Sequence, residues 1–195
     1  MSARSVAAVA LAAAGLAGCG AGHADSPRPA VVQISAGGEV ATGFALGPGR
    51  VVTVAHVLSR RRRGAAIRLL DGRRATIATV DQRDDLAVLA VPGLRAPRTT
   101  LGSGHGDVMV LVVRNDRVRA LPARIRRRIV ARIRTPDGRR VVRRRALVLR
   151  ADVQQGDSGA PVLTADGRVA GVVFAQSDLQ DDTAYAVDAR ALAGL

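Results

Sequence analysis

Apolar positions along the chain fall in short stretches rich in Val, Ala, Leu and Ile, interrupted about every 8 to 12 residues by Gly, Pro or Asp. That punctuation predicts strands of an all-β sandwich or barrel. The first group comprises Val31–Ser35, Val40–Leu46, Val51–Val54, Ala65–Leu70, Ala75–Val80 and Leu86–Val91. The segment PGLRAPRTTLGSGHG, Pro92 to Gly106, has the Pro and Gly density of a connector. Strands resume at Val108–Val113, Ile125–Ile133, Val141–Ala151, Pro161–Leu163, Val169–Phe174 and Ala184–Val187, with TPDG (Thr135 to Gly138) as a hairpin turn. Two groups of six predict two six-stranded antiparallel β-barrels, one over residues 31–91 and one over 107–195, joined by the connector 92–106. DARALAGL at the end predicts a short C-terminal helix with Asp188 as its N-cap. No internal repeat, heptad pattern or long amphipathic helix interrupts this plan.

The first residues depart from it. MSARSVAAVALAAAGLAGC carries one early Arg, an apolar run too short to span a bilayer, and small residues before Cys19. Residues 1–18 therefore predict an export signal peptide. LAGC resembles the bacterial lipobox, which implies lipidation of Cys19 and a lipoprotein held at the outer face of the cytoplasmic membrane or in the periplasmic or cell-envelope space. Residues 19–30, small, polar and Pro-containing, then form a flexible tether. Cys19 is the single cysteine of the chain, so no intramolecular disulfide can stabilise the domain. With Phe44, Phe174 and Tyr185 as its only aromatics, the core must be aliphatic.

Charge adds a second theme. All 30 basic side chains are Arg and the formal net charge is +14. Arg117 to Arg145 holds 13 Arg against one acid, Asp137. Export and the shortage of stacking aromatics argue against nucleic acid as a partner. Arg alternating with Ile and Val between Arg124 and Arg145 instead predicts a hairpin with one face on the barrel and the other turned to anionic lipid or an anionic envelope polymer. SRRRRG, Ser59 to Gly64, adds a second basic cluster.

Candidate chemistry begins at QQGDSGAPVL. A serine is a poor nucleophile unless a base takes its proton and a third group orients that base. Of the three histidines, His23 lies in the tether and His105 in the connector, whereas His56 follows a predicted strand in TVAHVL. An acid stands at the head of an apolar strand in DDLAVL, where Asp85 adjoins the apolar run directly and Asp84 is its neighbour and competitor. No metal-ligand spacing or phosphate loop occurs, so neither cofactor nor metal is expected.

With TVAHVL, DDLAVL and GDSGAPV in the order His, Asp, Ser, the chain resembles a trypsin-like serine protease of the chymotrypsin double-barrel fold, in particular exported bacterial members such as actinobacterial periplasmic acid-resistance proteases and Deg-type protease domains. The likeness covers roughly Val31 to Leu192. It implies an active site between the barrels with His56 as base, Asp85 as orienter, Ser158 as nucleophile, and the N–H groups of Gly156 and Ser158 as oxyanion hole. It also implies a substrate pocket at Asp152, Phe174, Ala175, Gln176 and Thr183, with Asp152 where trypsin places the acid at the pocket base, and a substrate-pairing edge along GVVFAQS. Ala160 departs from the usual second Gly after the serine. Asp157, which in zymogen-type relatives pairs with a newly cut N-terminal amine, needs another partner here, and an Arg is the natural candidate. The expected function is a lipoprotein endopeptidase acting on protein or peptide; the alternative is a silent envelope-anchored module that binds anionic ligands through its Arg hairpin.

Overall fold

The computed structural model describes residues 28–60, 64–135, 138–177 and 179–195. The signal segment, Cys19, nearly all of the tether, the centre of the Ser59–Gly64 cluster and the two central residues of the TPDG turn lie outside them. Six strands form the first barrel: β1 (Val31–Ala36), β2 (Glu39–Gly47), β3 (Arg50–Val54), β4 (Ile67–Leu69), β5 (Arg74–Asp81) and β6 (Leu86–Ala90). The second comprises β7 (Gly106–Arg114), β8 (Arg117–Arg134), β9 (Val141–Arg150), β10 (Pro161–Leu163), β11 (Val169–Gln176) and β12 (Thr183–Asp188). Pairing closes each barrel, in the orders β1-β2-β3-β6-β5-β4 and β10-β11-β12-β9-β8-β7, and every neighbouring pair within them is antiparallel.

Two features were not anticipated. β3 runs directly into a short helix, α1 (Ala55–Arg60), where an apolar Ala-His-Val-Leu run gives no periodic signal over so short a length. β8 begins at Arg117, eight residues before the expected strand, because a two-residue turn reverses the chain at Asn115 and Asp116, with φ 49° and 60°. Both central residues in the left-handed region make this a type I′ hairpin. RVRALPAR, with three Arg and a Pro in eight residues, hides the strand, which is registered against β7 from Arg114↔Arg117 to Gly106↔Ile125. The terminal element is a 3-10 helix, Ala189–Gly194, capped by the Asp188 carboxylate accepting from the Arg190 N–H.

Each barrel has its own aliphatic core, and a third cluster lies between them. Phe44, Val52, Leu86 and Val88 of the first barrel pack with Leu111, Leu163, Val169, Val172 and Val187 of the second. The connector clips both: the Thr99 N–H donates to the Leu46 carbonyl at 3.0 Å, and Val169 exchanges hydrogen bonds with Thr100 and Gly102 at 2.9 Å each. Burial between barrels thus takes the place of a covalent staple. Phe44→Ala, which would leave a cavity at a fully buried point of this interface, is expected to lower unfolding free energy by about 3–5 kcal/mol, read from the denaturant midpoint.

Candidate active site

β3 and α1 deliver His56 on a strand-to-helix junction, and Asp85 secures that junction. The Asp85 carbonyl accepts from the Ala55 N–H at 3.0 Å, and its Oδ1 accepts from the His56 N–H at 2.8 Å. These bonds satisfy two of the first N–H groups of α1, which have no partner within the helix. The second carboxylate oxygen, Oδ2, lies 2.8 Å from His56 Nδ1. Because a carboxylate only accepts, Nδ1 carries the proton and Nε2 is left as the acceptor. Asp85 is 4% exposed and adopts φ 57°, a left-handed conformation that Asp tolerates better than most residues. Asp84, its competitor, is only half-buried; burial and then the charge of Asp81 push its carboxyl above the ordinary value, with Arg144 and Arg83 opposing.

Ser158 sits in a doubled turn. The Asp157 N–H donates to the Gln154 carbonyl and the Ala160 N–H to the Asp157 carbonyl, both at 3.0 Å. Gly156 and Gly159 occupy the third position of each turn with φ 96° and 92°, as a type II turn requires. This accounts for the Gly-x-x-Gly spacing around the serine. Neither the Gly156 nor the Ser158 N–H finds an acceptor among the described residues.

The turn docks on the first barrel through β2. The Thr42 N–H donates to the Ser158 carbonyl at 2.9 Å and Thr42 Oγ1 to the Gly156 carbonyl at 3.0 Å, while Thr53 Oγ1 donates to the Thr42 carbonyl at 2.9 Å. A Cβ on Gly159 would lie 1.9 Å from the Thr42 oxygen. Thr53 is three residues before His56 on the same strand-to-helix path, so the serine turn and the histidine share one anchor.

Asp157, 1% exposed, has its arginine. Arg114, at the end of β7, donates from Nη2 to Asp157 Oδ2 at 2.6 Å and from Nε to Oδ1 at 3.3 Å, and Nη2 also reaches the Asp152 carbonyl at 2.8 Å. The hydrogen bonds to Asp157 hold the guanidinium above its ordinary value, with burial opposing. The Gln154 N–H completes the carboxylate's partners at 2.9 Å. Ala160, the departure from the usual second Gly, is fully buried in the second barrel's core.

A family model described as a trypsin-like peptidase domain matches residues 41–172. The chain belongs to that family. It is 35% identical over 161 residues to the serine protease Rv3671c of Mycobacterium tuberculosis, covering 78% of this chain and 40% of that relative, so the chain spans less than half of the relative's length. Among solved structures, the active form of the Rv3671c protease superimposes with a TM-score of 0.76 at 30% identity, covering 93% of this chain and 92% of the other. An inactive form gives 0.70 at 36%, covering 86% and 87%. Deg5 shares the fold alone, with a TM-score of 0.64 at 22% identity over 85% of this chain and 86% of that one.

Within this trypsin-like frame the expected pocket residues divide. The Asp152 side chain is 91% exposed, with its carboxylate 3.9 Å from Arg114, and so is not enclosed at the base of a pocket. Phe174 and Ala175 are half-buried on β11, Gln176 is exposed at its end, and Thr183 is buried at the start of β12 with Oγ1 donating to Gln180 Oε1 at 2.9 Å. β10 pairs with β11 only as far as Val172. Beyond Val173 that edge of β11 has no strand partner among the described residues. Thr42, Thr53, Arg114 and Arg144 were not legible as site residues in the sequence, since none carries a local motif. Gly159→Ala should destabilise the fold by more than about 3 kcal/mol and abolish serine reactivity, whereas Gly156→Ala, with open space at its Cβ, should cost only the backbone strain of about 1–2 kcal/mol; equal denaturant midpoints for the two would contradict the docking described.

Proposed function

We propose that the chain is a serine endopeptidase in which Ser158 attacks the scissile carbonyl. The observation that carries this reading is the His56–Asp85 pair and the Ser158 turn anchored through the same two threonines. His56 Nε2 takes the Ser158 hydroxyl proton as Oγ bonds to the carbonyl carbon, then gives it to the departing amine as the C–N bond breaks and the acyl-enzyme forms. Water repeats the sequence with the acyl group as electrophile and returns Ser158. Asp85 keeps the tautomer fixed and stabilises the imidazolium. The N–H groups of Gly156 and Ser158 receive the developing oxyanion, at about 3 kcal/mol for a donor of this type. The open edge from Phe174 to Gln176 supports an extended substrate that adds to β11 by backbone hydrogen bonds. Arg114 on Asp157 supports a domain that folds directly into its working form, with the arginine supplying the cation that zymogen-type relatives take from a new N-terminus.

The cellular setting belongs to the same proposal. The enzyme is exported and anchored by lipid on Cys19, with the β8–β9 hairpin turned to anionic headgroups. Arg132, Arg134, Arg143 and Arg145 all point to one exposed face, and Arg132 pairs directly opposite Arg143. Like charges in that arrangement repel, and none of the four has an ion-pair partner among the described residues. An anionic surface relieves that repulsion, and Val130 and Val141, 53% and 55% exposed on the same face, give it apolar contact.

A fluorophosphonate probe should label the full chain and fail on Ser158→Ala and His56→Ala; Asp85→Asn, which keeps the backbone contacts but imposes the wrong tautomer, should slow labelling by about 10³–10⁴. Labelling that survives Ser158→Ala would refute the assignment. Joint replacement of Arg132, Arg143 and Arg145 by Gln should weaken co-sedimentation with phosphatidylglycerol vesicles by about two orders of magnitude, at roughly 1 kcal/mol per arginine, while leaving neutral vesicles unaffected.

A further inference from the structure

Arg144 is the largest fully buried side chain of the described chain, 2% exposed, in a run of three arginines whose other two are solvent-facing. Strand alternation explains the difference. On β9, Val142, Arg144, Ala146 and Val148 share one face, while Arg143 and Arg145 share the other with Leu147 and Leu149 of the second barrel's core. Arg144 therefore points out of its own barrel, and it is buried because the β5–β6 turn of the first barrel covers it. Its Nε donates to the Arg83 carbonyl at 3.0 Å. Nη1 lies 3.8 Å from Asp85 Oδ2, the oxygen that accepts from His56 Nδ1. The guanidinium carbon stands 5.0 Å over the Phe174 ring, and Nη2 is buried without a hydrogen-bond partner among the described residues.

A buried guanidinium with an orphaned donor is costly, and packing alone would favour an apolar side chain of the same length. The β5–β6 turn explains what the charge answers. Asp81, Asp84 and Asp85 fall within five residues, and Asp81 is already engaged by the Arg83 and Asp84 N–H groups at 2.8 and 3.1 Å. Burial pulls the Arg144 guanidinium down from its ordinary value, and the charges of Asp85, Asp84 and Asp81 oppose that pull. An arginine stays protonated through it.

Building on the endopeptidase reading, we propose that Arg144 is a positioning residue for the His56–Asp85 pair: reaching from the second barrel, it braces the β5–β6 turn that holds Asp85 in its left-handed conformation and sets the charge that His56 meets. The charged groups around Asp85 are His56 from α1, Asp81, Arg83 and Asp84 from the β5–β6 turn, and Arg144 from β9; Tyr185 of β12 stands behind Phe174, with ring centroids 6.3 Å apart. A fixed cation beside Asp85 offsets part of the carboxylate's pull on an imidazolium. Removing the cation moves the ascending limb of the pH profile upward.

The test follows fluorophosphonate labelling rate against pH in the full chain, for the parent, Arg144→Met and Arg144→Lys. Arg144→Met should shift the ascending limb to higher pH by about half a unit and slow labelling on that limb by roughly threefold, and Arg144→Lys, which keeps the charge, should restore the limb toward its original position. If the Met variant does not fold, Arg144→Gln takes its place in the same comparison. A parent labelled at Ser158 whose limb stays put in the uncharged variant, even with a lowered melting temperature, reduces Arg144 to a structural clamp and overturns the proposal. A parent unlabelled at every pH, or labelled equally after Ser158→Ala, removes the endopeptidase reading and this inference with it.

Discussion

Thr42 is the point at which the two barrels become one site. Its N–H holds the Ser158 carbonyl, its hydroxyl holds the Gly156 carbonyl, and its own carbonyl accepts from Thr53 while excluding any side chain from position 159. Thr42 and Thr53 are both fully buried, so leaving any of these groups of Thr42 unpaired would be costly. A turn with two residues in the left-handed region has little intrinsic preference for one arrangement. Docking on a rigid barrel strand supplies that preference, and the neighbouring strand carries it to His56 only three residues beyond Thr53.

Charge follows the same logic of one barrel completing another loop's needs. The two buried acids of the site, Asp85 and Asp157, each meet an arginine of the second barrel, Arg144 from β9 and Arg114 from β7. The two contacts differ in kind. Arg114 makes a close forked contact with Asp157, which fixes geometry as well as charge. Arg144 stands farther from Asp85, bonded instead to a backbone carbonyl and an aromatic face, so that its influence on the acid is chiefly electrostatic. In a chain whose 30 basic side chains are all Arg, these two are distinguished by position alone from the other arginines among the described residues, which are exposed.

Much of this was readable from residue order. All twelve expected strands are present, β10 with its expected bounds and ten others with ends shifted by a residue or two, while β8 is longer by eight residues at its start, where three arginines and a proline mimic a solvated segment. His56, Asp85 and Ser158 were legible because each stands in a local motif at the end of an apolar run, where a strand must hand its side chain to a loop. The helix at Ala55 was not, because six residues are too few for helical periodicity to show. Asp152 shows the limit of carrying a role over by position: alignment to a pocket-floor acid says nothing about whether the surrounding loops enclose it, and here its side chain is exposed.

By itself the sequence determined the all-β class, the division into two groups of six strands, the candidate nucleophile, base and acid, and the need for glycine on both sides of the serine. These depend on period-two alternation, on turn chemistry and on residue type, all of which act over a few neighbours. Tertiary structure decided which threonines dock the serine turn, which of thirteen clustered arginines is buried against Asp85, and which arginine answers Asp157. Those choices rest on contacts between residues 43 to 116 positions apart, across the barrel interface for the threonines and Arg144 and within the second barrel for Arg114, where strand facing and register, rather than any local pattern, set who meets whom.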